Sequence, residues 1–145
     1  MAYRLSLIII TLWVGALWMS GISAYVLFDT LQDKQMAGML AGKLFSIVSY
    51  IGLGSAFYLL IYRVLQYGTA ALKQGFFWAV LVMLLLVLAG HFGIQPILES
   101  LKSQALPADV MKSVFADRFK SWHGIAHMAY VFECLLALVL VLKAR

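Results

Sequence analysis

Three histidines and one glutamate set inside apolar sequence are the residues of this chain best placed to do chemistry. His91, His123, His127 and Glu133 fall within long apolar stretches of a chain that is 64% hydrophobic and only 12% charged. Ionisable groups at membrane depth are expensive, so each needs a partner or a purpose. His123 and His127 are four residues apart, one helical turn apart on the same face. Zinc-protease helices hold two metal ligands at that spacing, with a glutamate directly after the first histidine. Here the run is His123-Gly124-Ile125-Ala126-His127, so a metalloprotease is not supported.

Depth brings His91 into the same picture. His91 precedes Pro96 by five residues on a stretch leading outward, and His127 follows Trp122 by five on the stretch leading back. Given the helical rise per residue, both lie about 7.5 Å inside the same boundary. Consecutive antiparallel helices are usually neighbours, so the three imidazoles are expected to converge near the outer face. Three nitrogens suit copper or zinc, with Gln95, one turn from His91, as a further ligand. A haem held axially by His91 and one of the other two is the alternative cofactor. His123 and His127 cannot both approach one haem from opposite faces. Met36 and Met39 lie on the same side, as soft copper contacts or as packing filler. The plainer reading of all three histidines is satisfied polar groups near the interface.

Glu133 lies about halfway along the last stretch and about 120° around the helix from His127. Tyr50, Tyr58, Ser49 and Ser55 are its candidate partners. The functional reading is a proton or cation relay; the plain one is a protonated carboxyl held by a hydrogen bond. Arg118, with Lys120 and Trp122, reads as an interfacial anchor or as the partner of an anionic group. Cys134 sits mid-stretch, cannot form an internal disulfide, and reads as a small apolar side chain.

These residues must be positioned by helices that cross a bilayer. Four apolar stretches, at 5–28, 44–62, 76–95 and 122–142, approach the length of about 20 residues that a helical crossing needs. Lipid offers no partner to exposed backbone groups, and the period-two alternation of a β-barrel is absent. The expected fold is therefore all-α, an integral membrane four-helix bundle forming a single domain over 1–145. The first stretch reads as a retained span, longer than a signal core. Asp33 is placed to cap a helix running through Met36, Ala37, Met39 and Leu40 into the second span. Gly38 and Gly42, in Ala37-Gly38 and Ala41-Gly42, have the small-xxx-small spacing that lets a neighbouring backbone approach. Gly52, Gly54 and Ser55 extend that small surface. Gly68 and Gly75 break the inner turn among aromatic residues. Pro107 suits the first turn of an amphipathic outer helix, with Val110, Met111, Val114, Phe115 and Phe119 as its apolar stripe.

Orientation follows from the flanks. With the N-terminus inside, the inner side carries Arg4, Arg63, Lys73, Lys143 and Arg145 with no acid, a charge of +5. The outer side carries six Lys and Arg and five acids, a charge of +1. Lys and Arg counts alone are five against six, but the uncompensated inner pieces favour both termini on the cytoplasmic side. The basic balance is thus a topology signal; no basic cluster off the membrane suggests nucleic acid.

The run Leu12-Trp13-Val14-Gly15-Ala16-Leu17-Trp18, with Val26-Leu27-Phe28 and Ala37-Gly38…Ala41-Gly42-Lys43-Leu44-Phe45, resembles an uncharacterised bacterial membrane family, a domain of unknown function. Its eukaryotic relatives include a transmembrane protein linked to platinum-drug resistance. Arg118-Phe119-Lys120-Ser121-Trp122-His123-Gly124 is similar to that family's closing motif. The resemblance implies a four-span protein of the bacterial inner membrane and supplies no activity. Three functional expectations result. The first is a non-enzymatic membrane protein binding copper, zinc or haem through His91, His123 and His127. The second is an accessory subunit of a larger membrane complex, or a homodimer, joined through its small-residue faces. The third is a small transporter that uses Glu133.

Overall fold

The computed structural model describes residues 2–144 as helices joined by short turns, with no strand among the described residues. Met1 and Arg145 lie outside the described residues, and with them Arg145's part in the inner charge. Helix α1 spans Ala2–Thr30, α2 Lys34–Tyr67, α3 Gly75–Leu88, α4 Gln95–Ala105 and α5 Ala116–Leu142. Four helical stretches, Tyr3–Thr30, Lys34–Lys73, Gly75–Ala105 and Ala116–Leu142, are long and apolar enough to cross a membrane. The third of them joins α3 to α4 through a π-helical turn, Ala89–Ile94. The fold is the expected four-helix transmembrane bundle.

Short connections force neighbouring spans to run antiparallel. Only Leu31–Asp33 separate α1 from α2, and a 3-10 turn, Gly68–Lys73, links α2 to α3. Helix α1 packs on α2, α2 on α3 and α3 on α5, and α5 closes the ring against α1. Trp13, Ala56, Leu59, Val80, Met83, Ala137 and Leu140 fill the centre and are fully buried. Leu12, Ile22, Phe57, Leu65 and Leu138 point outward. Lipid tails are as apolar as those side chains, so dispersion and close fit, not expulsion of water, hold the ring together.

Asp33 caps α2 as expected, its Oδ1 accepting from the N–H groups of Gln35 and Met36 at 2.9 and 3.1 Å. The 34 residues of α2 make a rod about 51 Å long, so its capped end stands clear of a hydrocarbon core about 30 Å thick. The segment after Pro107 departs from expectation. No helix starts there; the chain makes only a 3-10 turn at Val110–Lys112 before α5 begins at Ala116. The Ser113 hydroxyl donates to the Val110 carbonyl and accepts from the Phe115 N–H, claiming backbone groups that a continuous helix would need. The amphipathic outer helix is instead α4, ahead of Pro107. Its Leu101 and Ala105 pack with Val110, Phe115, Phe119 and Trp122.

The small residues also sort differently from their spacing. Ala37 and Ala41 are buried, whereas a Cβ added at Gly42 would meet nothing within 4 Å and one at Gly38 would make only ordinary contact. The tight approaches are Gly21 beneath Tyr130, Gly52 beneath Trp13 and Gly75 beneath the flexible end of Lys143.

Candidate functional site

His91 sits in the π-helical turn. Pro96 has no N–H to donate and its ring crowds the carbonyl a turn earlier; the turn widens there, and the Gln95 N–H reaches the Gly90 carbonyl five residues back. That turn presents His91 to α2. Its Nδ1 stands 3.0 Å from Gln95 Oε1, and Gln95 Nε2 donates to the Gly42 carbonyl at 3.4 Å. The imidazole meets Tyr50 edge to face at 4.7 Å and Phe92 at 4.8 Å. With the amide nitrogen committed to Gly42, Oε1 is the acceptor and His91 Nδ1 the donor.

His123 and His127 belong to another surface. Both are exposed on α5. His123 stacks on Phe119 at 5.7 Å, with the Lys102 ammonium 5.8 Å from the far ring. Among the described residues no three His, Cys, Asp or Glu side chains are grouped so as to hold a metal ion. The expected convergence of His91, His123 and His127 is thus not formed, because His91 engages Gln95 of α4 and Tyr50 of α2 while the α5 pair is exposed. Gln95 is occupied as a bridge between His91 and Gly42. Met36 and Met39 are exposed.

Glu133 does not meet its expected partners either. Ser49 donates to the Phe45 carbonyl at 2.8 Å, Tyr50 packs on His91 and Tyr58 stacks on Tyr62. Among the described residues no hydrogen bond reaches Glu133. The α5–α1 link is made by Tyr130, whose hydroxyl donates to the Leu17 carbonyl at 2.8 Å. Cys134 is buried and packs as the small apolar group expected of it. Arg118 borders a shallow outer pocket with Pro96, Ile97, Ser100, Leu101 and Gln104.

Arg63, in the sequence only one of the inner topology charges, is a buried cation in the structure. Arg63 is only 7% exposed, at the end of the bundle that carries both termini. Its guanidinium lies 4.1 Å over the Phe76 ring and 5.4 Å from the Tyr67 ring. One amino group donates to Gln74 Oε1 at 3.3 Å, and Nε is buried with no hydrogen-bond partner among the described residues. Cation–π contacts return about 0.5–2 kcal/mol each. An unsatisfied buried donor costs about 1–3 kcal/mol, and removing an ion from water costs several more. No carboxylate of the described residues pairs with Arg63. The available signal was the i, i+4 rows Tyr62–Gln66 and Arg63–Tyr67, polar and aromatic where a span end needs only a charge.

A family model described as a domain of unknown function, DUF4149, matches residues 8–107. The chain belongs to the DUF4149 family. The DUF4149 match contains Arg63, His91, Gln95 and Gly42, and it ends before α5, so His123, His127 and Glu133 lie beyond it. The resemblance drawn from 118–124 also falls outside. No curated protein and no solved structure matches the chain.

Proposed function

We propose that this DUF4149 chain is a non-enzymatic, multi-pass protein of the inner membrane, an accessory subunit that joins a larger membrane assembly through α5. One observation carries the reading: His127 and Glu133 stand on a membrane-spanning helix and find no hydrogen bond among the described residues. Insertion scales put an ionised residue at mid-membrane at about 2.5–3.5 kcal/mol. A neighbouring protein surface with polar partners removes that cost, and lipid does not. Both termini face the cytoplasm in this reading, supported by Arg4, Lys73 and Lys143 at one end with no acid among the described residues there.

The rival readings have less behind them. A copper, zinc or haem centre needs three donors, or two opposed ones, and α5 offers only the adjacent pair His123 and His127. A transporter needs a polar path to mid-membrane, and here Trp13, Met83 and Ala137 close the middle of the bundle.

Site-specific photo-crosslinking in native membranes tests the proposal. A benzophenone side chain at Met128 or Val131 should give one discrete protein adduct, and the same probe at Ile8 or Ile22 on α1 should give lipid adducts only. Glu133→Leu should weaken the α5 adduct severalfold. Lipid adducts from every position, with a lone chain in native mass spectra, would overturn it. So would stoichiometric metal or a Soret band that disappears in His91→Ala and His127→Ala.

A further inference from the structure

We propose that the pocket around Arg63 is a binding site for one oxyanion, the phosphate group of an anionic phospholipid or a free phosphate ion. The residues involved lie apart from the α5 surface, so this site and the partner reading stand or fall separately. Arg63 is more than nine-tenths buried, and its Nε–H meets no acceptor among the described residues. The Phe76 and Tyr67 rings lie against its guanidinium, at 4.1 and 5.4 Å from the central carbon, and Gln74 takes only one of its donors. Arg63 lines a cavity of about 40 Å³ together with Tyr3, Ser6, Tyr62, Gln66 and Tyr67. The lining offers hydroxyl and amide groups and no carboxylate.

Size, charge and place select the ligand. The cavity has room for about three waters, or for the oxygens of one phosphate group. Guanidinium presents a planar fork of donors that fits phosphate two atoms at a time, and phenolic hydroxyls can donate to the remaining oxygens. Tyr3 and Tyr67, 48% and 41% exposed, stand at its mouth. Aromatic rings at a span end mark headgroup level, where phospholipid phosphates reside. The ligand supplies the counter-charge that no side chain provides.

The full-length protein in phosphatidylcholine discs doped with phosphatidylglycerol tests this by native mass spectrometry. The wild type should retain one phosphatidylglycerol with about a tenfold preference over phosphatidylcholine, the worth of one or two charge-assisted hydrogen bonds. Arg63→Gln should bring that preference to parity. In pure phosphatidylcholine discs, equilibrium dialysis with radiolabelled phosphate is the second arm; Arg63-dependent uptake there identifies the free ion as the ligand. Ser6→Leu keeps the cation and fills the cavity, so it should also abolish binding, and it serves where Arg63→Gln fails to fold. Binding in neither arm, or unchanged binding in the folded variants, overturns the site.

Discussion

Two glycines set how closely α1 can approach its neighbours. A Cβ at Gly52 would stand 2.9 Å from Trp13 Nε1 and 3.3 Å from Val87 Cγ2. Trp13 is fully buried and has nowhere to go. Gly52→Ala should therefore destabilise the bundle by about 1–3 kcal/mol, the usual cost of overpacking, seen as a lower Tm in detergent. Gly42→Ala, with open space around it, should leave Tm unchanged. Gly21→Ala should be costly for a different reason, since its Cβ would collide with the Tyr130 hydroxyl. Tyr130→Phe removes that oxygen and its bond to Leu17, so the double variant should lose less than the sum of the two. Equal losses at Gly42 and Gly52 would refute this packing. Small-xxx-small spacing made Gly38 and Gly42 conspicuous in the sequence. Such spacing says which residues permit approach, and it leaves open which face has a neighbour.

At the scale of elements, hydropathy made the spans legible and side-chain hydrogen bonds decided the rest. Asp33 was readable as a cap because it is a short acceptor immediately before an apolar helical run. Asp33→Ala should cost about 0.5–2 kcal/mol and speed amide exchange at Gln35 and Met36, while Asp33→Asn should keep most of the protection. Unchanged exchange in Asp33→Ala would mean that the carboxylate does not hold the start of α2. The stripe through Val110, Met111, Val114, Phe115 and Phe119 pointed to a helix, yet Asp109 and Ser113 turn their side chains on the local backbone and break it. Periodicity does not register that competition. The π-helical turn was also hidden, although Gly90, Gly93 and Pro96 cluster where it forms. It sets where His91 goes, beside Gln95 and against Tyr50 of α2.

At the scale of the molecule, the sequence drew attention to charges in the middle of spans, and burial at a span end went unseen. Arg63 is buried because α1, α3 and the last turn of the chain converge on it through Tyr3, Ser6, Phe76 and Ala144. That convergence is tertiary, and no local pattern contains it. Which leaflet can supply an anion to Arg63 depends on orientation, and orientation is measurable. In a Cys134→Ala background, Thr69→Cys lies on the exposed turn beside Arg63, and Ser103→Cys lies exposed on α4 at the opposite end. A membrane-impermeant maleimide on intact cells should label position 103 at once and position 69 only after permeabilisation. The reverse pattern would turn the bundle over, against the unopposed charge of Arg4, Lys73 and Lys143. It would leave the Arg63 pocket intact and move its ligand to the outer leaflet. The disc experiment and the labelling experiment together therefore separate what the pocket binds from the side of the membrane on which it binds.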